Sequence, residues 1–364
     1  MLRIAIITFQ YAHNYGSVLQ AYALKTLLEN KKYKVSVINF IHRGDFEQYK
    51  LFRKKYYYKH PWGLVLDVIY LKQNKNRIRN FESFVNKNLN LTSKKYFNSS
   101  DMKELNKEFD IFICGSDQIW NLDCTGGVEP AYFLDFADKN KLKIAYAPSL
   151  SHEKFSKDYN EDLKKALRNI DYISIREKTT LPLIEKLTDK TINVVLDPTL
   201  LLEKEYYEKL LPSNRLKEEK YIFVYMLEYN RELIKFCNKY SKEHKIKLIY
   251  ITNRRYNGIS MIKGENAFEV GPDRFLEYIL NAEIIITNSF HATVFSVIFH
   301  KQFIVFKTKR SSSRMKDLLL SLGIKGRIYG ENLNINNTID YSKIDEILSN
   351  LRKTSLMYIE KALK

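Results

Sequence analysis

"ITNSFHATVFSVIFH", residues 286–300, joins two apolar segments through a short polar turn and sets a histidine at the join. Before the turn, Ile284, Ile285 and Ile286 are consecutive β-branched residues, which read as a buried strand. After it, Val294, Phe295, Val297, Ile298 and Phe299 read as a helix with little solvent-facing surface. The strand is expected over residues 283–287 and the helix from about Ser289, which puts His291 in the helix's first turn, flanked by Asn288, Ser289 and Thr293. Two readings stand side by side. His291 is either a satisfied core histidine or a ligand-facing group where a strand's carboxyl end meets a helix's amino end, the place where α/β folds hold anions.

The same rhythm runs through the chain. Ile4–Thr8 reads as a strand, and Ser17–Glu29 as a helix with Val18, Ala21, Tyr22, Leu24, Leu27 and Leu28 on one stripe. "KVSVINF" (34–40), "DIFICGS" (110–116), "KIAYAPS" (143–149), "DYISIRE" (171–177) and "INVVLDPTLL" (192–201) are short apolar runs with polar or small-residue tails. "YIFVYML" (221–227), "KIKLIYIT" (245–252), "AEIIITNS" (282–289) and "QFIVFK" (302–307) repeat the pattern. Strands alternating with helices imply parallel sheets in an α/β protein, with ligands at the strands' carboxyl ends. The charged run "LEKEYYEKLLPSNRLKEEK" (202–220) marks a domain boundary. The expected division is a first domain over 1–205, a second over 206–335, and a C-terminal helix over 336–364 packing back across both.

Residues 43–97 break the rhythm. They are crowded with Lys, Arg and Tyr, as in "QYKLFRKKYYYKHPWGLVLDVIYLKQNKNRIRNF" (48–81). The segment reads either as solvated helices covering the sheet or as a surface for anionic membrane. In the second reading Trp62, Leu64, Val65, Leu66, Val68 and Ile69 dip in while lysines meet lipid phosphates. No nucleic-acid fold motif accompanies it, so nucleic acid is not an expected partner.

At 364 residues, 45% of them hydrophobic, the chain suffices for two folded domains and is not a disordered protein. Its formal charge of +18 favours anionic partners: nucleic acid, acidic membrane or phosphorylated substrates. Three cysteines without paired spacing suit a reducing compartment and give no disulfide or zinc framework. The opening "MLRIAIITF" reads as a first strand, too short for a signal peptide or a membrane span, so a cytoplasmic protein is expected.

"NYGSVLQAYAL" (14–24), "DIFICGSDQIWN" (110–121), "KIAYAPSLS" (143–151), "YISIREK" (172–178), "VVLDPTLLL" (194–202) and "VGPDRFLEYILNAEIIITNSFHATVFSVIF" (270–299) together resemble the polysaccharide pyruvyl transferase family. Six motifs in order, spanning Ile4 to about Leu322 without the basic insertion, carry the resemblance. It implies a glycosyltransferase-B-type fold, two Rossmann-like domains facing across a cleft. It also implies transfer of the enolpyruvyl unit of phosphoenolpyruvate onto two hydroxyls of a sugar, giving a cyclic ketal and phosphate. By resemblance, Arg176 matches an arginine that helps hold the donor; from its own neighbours it reads instead as an exposed arginine after a strand, pairing with Glu177 or a nearby helix. His291 and Phe290 match the last two residues of an Arg-Leu-His triplet, and Ser289 stands where its arginine would be. Serine can cap a helix and bond an oxyanion but carries no charge. Lys307, Lys309, Arg310 and Arg314 are the nearest cations in sequence that could compensate.

The donor carries a carboxylate and a phosphate, so its site needs cations or helix amino ends, plus an acid to protonate the methylene carbon. Histidine suits that task, making His291 the candidate acid. Asp117 is either the base for an acceptor hydroxyl or the start of an Asx turn. Asn14, Tyr15 and Gly16 at the first helix's amino end, Ser116, Asn288 and Arg314 complete the candidate binding set. His13 either touches the acceptor or is a loop histidine, Asp197-Pro198 fixes a turn, and Gly271-Pro272 starts a helix near the candidate site. No metal or redox cofactor is called for. The expected partners are phosphoenolpyruvate, a sugar acceptor on a lipid-linked oligosaccharide, and anionic membrane. The alternatives are a nucleotide-sugar glycosyltransferase on the same plan or an inactive subunit of an assembly complex.

Overall fold

The structure, a computed structural model, describes residues 1–42, 49–151, 157–216, 219–254, 259–308, 312–335 and 337–364. Its strands are β1 (Arg3–Ile7), β2 (Lys34–Val37), β3 (Ile111–Cys114), β4 (Leu142–Ala145), β5 (Tyr172–Ile175), β6 (Ile192–Val194), β7 (Tyr221–Met226), β8 (Lys247–Thr252), β9 (Glu265–Asn266), β10 (Ile284–Thr287) and β11 (Gln302–Val305). The α-helices of eight residues or more are α1 (Tyr15–Asn30), α2 (Trp62–Ile69), α3 (Leu71–Asn88), α4 (Lys157–Leu167), α5 (Arg231–His244), α6 (Pro272–Asn281), α7 (Phe290–Ile298), α8 (Ser312–Ser321) and α9 (Tyr341–Ala362). Every strand expected from the apolar runs is present. The two-residue β9 has no such run and gave no signal.

The strands form two sheets, ordered β2-β1-β3-β4-β5-β6 and β11-β10-β7-β8-β9, and every pairing is parallel. Their centres are largely apolar: β3 and β10 are buried along their full length, as expected for parallel strands covered on both faces. In the first sheet the chain steps from β1 outward to β2, then crosses to the other side for β3. In the second it steps from β7 to β8 and β9, then crosses for β10. Each sheet therefore has a reversal of winding, between β1 and β3 and between β7 and β10, and crevices for ligands open at such reversals.

Two compact units result. The first comprises residues 1–59, 82–202 and 349–364, and the second 60–81 and 203–348. One segment departs from the linear division read from the sequence, and the C-terminal helix divides between the two units. Residues 60–81, expected with the first domain, belong to the second unit. There Asp67 pairs with Arg254 at 3.1 Å and Arg77 Nη1 donates to the Phe268 carbonyl at 2.6 Å. The last part of α9 belongs to the first unit, where Tyr358 Oη donates to the Ala145 carbonyl at 2.9 Å and Ser355 Oγ accepts from Leu196 N at 3.0 Å. Helical periodicity gives a segment's type but not which sheet it covers. Among the described residues, no helix is long and apolar enough to cross a membrane.

The turn after β3 tolerates no side chain at its first residue. Gly115 has φ +115°, and a Cβ there would lie 2.1 Å from the Tyr146 carbonyl oxygen. Gly115→Ala should therefore lower stability by at least about 1–3 kcal/mol through backbone strain alone. Thermal unfolding should show a drop of several degrees, and an unchanged melting temperature would contradict the packing described.

Candidate functional site

In the first unit the reversal between β1 and β3 is closed by side chains. Asn14 caps α1, its Oδ1 accepting from Gly16 N at 3.0 Å. One turn on, Ser17 Oγ donates to Asp117 Oδ2 at 2.5 Å. Gln20 reaches the same place: its Nε2 donates to Thr8 Oγ1 (2.8 Å), and its Oε1 accepts from Ser116 N (3.0 Å). Ser116 Oγ donates to the Ala147 carbonyl at 2.7 Å. Asp117 is thus held at the helix's amino end with its backbone left-handed at φ 68°. Its carboxylate bonds across the reversal to Ser17 rather than closing a local turn. Tyr15 and Ser116 are without exposed surface and belong to this framework. His13 lies in the preceding loop with Tyr11 and Tyr49 around its ring.

Arg176 follows β5 and is buried. Its Nη1 donates to Asp197 Oδ2 at 2.7 Å and its Nε to Glu177 Oε1 at 3.1 Å. Burial opposes its charge, but the carboxylates of Glu177, Asp197 and Asp117 outweigh burial and raise its pKa above the ordinary arginine value. Asp197 also accepts from Thr199 N and Oγ1, so the Asp-Pro turn after β6 is fixed from both sides. The strand ends of the first unit therefore gather one guanidinium and three carboxylates.

In the second unit α7 starts one residue after the β10–α7 turn reaches Ser289. Ser289 Oγ accepts from Ala292 N at 3.4 Å, and its own N–H donates to Thr287 Oγ1 at 3.0 Å. His291 lies in the first turn, buried, with its ring edge-on to Phe290 at 5.2 Å between centroids. Asn288 spans the reversal between β7 and β10: its Oδ1 accepts from Leu227 N (2.8 Å) and its Nδ2 donates to the Glu228 carbonyl (2.6 Å). Both ends of that amide hold backbone, which makes Asn288 a brace for the turn. Gly271 caps α6, as the Gly-Pro pair suggested.

Of the four cations near in sequence, Lys307 and Arg314 lie among the described residues, and Arg314 comes to this helix mouth. Arg314 of α8 is buried with its guanidinium carbon 6.0 Å from the centre of the Phe290 ring, at the outer limit of a cation–π contact. Thr293 Oγ1 against Met315 Sδ at 3.2 Å fixes α8 beside α7. Lys307 is exposed and paired with Glu331. Lys309 and Arg310 lie outside the described residues.

The sequence profile described as polysaccharide pyruvyl transferase matches residues 14–310. The chain belongs to that family. No curated protein is significantly similar to it in sequence. Among solved structures, a UDP-N-acetylglucosamine 2-epimerase aligns with a TM-score of 0.53 at 9% identity, covering 100% of this chain and 95% of that one. A Listeria monocytogenes protein described as a UDP-N-acetylglucosamine 2-epimerase gives 0.52 at 9% identity, over 96% and 87% of the two chains. S. aureus MnaA solved with UDP gives 0.50 at 13% identity, over 98% and 91%. Likeness at these identities concerns the fold alone. With two parallel sheets, it shows two Rossmann-like domains of glycosyltransferase-B type.

Within this pyruvyl transferase fold, Ser17 and Gln20 frame the candidate site, and no motif singles them out beforehand. Their partners Asp117 and Ser116 are 100 and 96 residues away, and only the pairing of β1 with β3 brings them together. Arg176→Met should leave its carboxylates unmatched and cost roughly 3–5 kcal/mol, the usual penalty for breaking a buried ion pair. Urea unfolding checks this: a loss below about 1 kcal/mol, the ceiling for exposed pairs, would remove the network's structural role.

Proposed function

We propose that this protein moves the enolpyruvyl unit of phosphoenolpyruvate onto two hydroxyls of a sugar, forming a pyruvate ketal and releasing phosphate. The reading is supported by the grouping of His291, Phe290 and buried Arg314 at the amino end of α7, in a member of the polysaccharide pyruvyl transferase family. A helix amino end and a guanidinium are suited to the carboxylate and phosphate of this donor. In this reading Arg314 supplies the charge that Ser289 lacks. His291 gives a proton to the methylene carbon, C2 becomes electron-poor, and the first hydroxyl adds there as its proton passes to a base. The C2–O bond to phosphate then breaks, the second hydroxyl closes the ring, and its proton leaves with phosphate. Asp117 is our candidate for the base. Arg176, its charge met by three carboxylates, is a positioning residue. The acceptor is a lipid-linked oligosaccharide in surface polysaccharide assembly, reached from the cytoplasmic face.

The nucleotide-sugar glycosyltransferase remains a second reading, favoured by Ser289 in place of the family's arginine and by a fold neighbour solved with UDP. Ligand-dependent melting separates the readings, because a ligand that binds only the native state raises apparent stability. Phosphoenolpyruvate should raise the melting temperature and UDP or a UDP-sugar should not. The reverse result favours the second reading, and no response to either favours an inactive assembly subunit.

Two variants test the chemistry. Arg314→Lys keeps the charge but loses the planar fork. It should weaken phosphoenolpyruvate binding about ten- to a hundredfold, in line with roughly 1.5–3 kcal/mol for hydrogen bonds to charged groups. His291→Gln should fold, still bind phosphoenolpyruvate, and release phosphate in the presence of acceptor some 10²–10⁴-fold more slowly. A His291→Gln protein that transfers at the normal rate would exclude the acid role, and one that fails to fold would restore the core-histidine reading.

A further inference from the structure

Helix α2 is inside out. Its apolar side chains face solvent: Trp62 is 78% exposed, Ile69 64% and Val68 56%, with Leu64 and Val65 exposed beside them. Its polar side faces inward. Asp67 is buried, and its Oδ1 accepts from Arg254 Nη2 and Nε at 3.1 and 3.2 Å. A soluble helix normally turns the other way, burying its apolar stripe.

The helix is held in this orientation by α3. Hydrogen bonding carries through the junction, from Tyr70 N to Leu66 O and from Asn74 N to Tyr70 O, both 2.9 Å. Spacings of three and four residues therefore persist from one helix to the next. On the inner side, Asn74 approaches Asp67 and Asn76 Nδ2 donates to Glu269 Oε2 at 2.8 Å. Arg77 bonds the Phe268 carbonyl and lies over the Phe81 and Phe268 rings, and Asn80 Nδ2 donates to the Glu269 carbonyl at 2.8 Å. On the outer side, Val65 and Val68 are followed by exposed Lys72, Lys75 and Arg79 at the same spacing. An apolar end thus runs straight into a basic stripe along one face.

We propose that this face, α2 with the start of α3, docks the protein on an anionic lipid surface. Five apolar side chains including an exposed tryptophan suit the headgroup–acyl boundary, and three cations beyond them suit lipid phosphates. The buried Asp67–Arg254 pair and the Asn and Arg contacts of α3 keep the face turned outward without lipid, so docking requires no refolding. A second copy is the poorer occupant. Self-association through so small a patch would gather six cations around it, in a chain of net charge +18.

The proposal is tested with the full-length protein and vesicles of phosphatidylcholine, with and without phosphatidylglycerol. The chain has two tryptophans, and Trp120 is buried in a stack on Phe133, so a lipid-induced change in emission reports Trp62. Mixed vesicles should sediment the protein and shift its emission to the blue, and high salt should reverse both. Combined Lys72→Glu, Lys75→Glu and Arg79→Glu should cut binding at least a hundredfold, at roughly 1 kcal/mol per cation lost. Val65→Glu with Ile69→Glu should abolish the emission shift, with melting temperature unchanged because both residues are exposed. Three results would overturn the proposal: no sedimentation with either vesicle, binding indifferent to lipid charge and to these substitutions, or a dimer in solution that Trp62→Ser dissociates.

Discussion

Where a parallel sheet reverses its winding, two neighbouring strands send their connections to opposite sides, and the gap between strand ends must be filled by polar groups. This chain meets that constraint twice, with different chemistry each time. Between β1 and β3 the fill is ionic and hydroxylic: Asp117 is tied to Ser17, and the Gln20 amide bridges Thr8 and Ser116. Between β7 and β10 it is neutral, with the Asn288 amide bracing residues 227 and 228. Beside the first lie the carboxylates around Arg176, and beside the second lie His291 and Arg314.

The contrast bears on which unit handles an anion. Arg176 is surrounded by Glu177, Asp197 and Asp117, so its positive charge is balanced inside the first unit. Arg314 lies against an aromatic ring at a helix's amino end, where the backbone dipole adds positive potential. An anion is better matched by the second environment than by the carboxylate-lined strand ends of the first.

Much of the fold was legible because parallel strands announce themselves as unbroken apolar runs, as in Ile284–Ile286 and Ile111–Ile113. The amino end of α7 was legible too: serine before an apolar helix is a strong cap signal, and Ser289 fills that role. What stayed hidden depends on distance along the chain. The Ser17–Asp117 bond joins residues one hundred apart, and the Arg176–Asp197 pair joins the ends of two different strands. Arg314 could be named as one of four nearby cations, but only the packing of α8 on α7 distinguishes it from Lys307, which pairs with Glu331. Membership of residues 60–81 in the second unit was hidden for the same reason. Their polar residues looked like a solvated face, yet Asp67, Asn74 and Arg77 are buried.

The discontinuous make-up of the first unit has a consequence for biosynthesis. Residues 349–364 are translated after the whole of the second unit, yet they belong to the first unit, whose strands all precede residue 203. Until they arrive, the Ala145 carbonyl lacks the Tyr358 hydroxyl and the Leu196 N–H lacks Ser355. Domains generally fold as units, amino-terminal first, during synthesis. Here the first unit must wait, incomplete, while the second is translated. A nascent chain stalled before residue 349 would expose apolar surface that the finished protein covers, making it a natural client for chaperones.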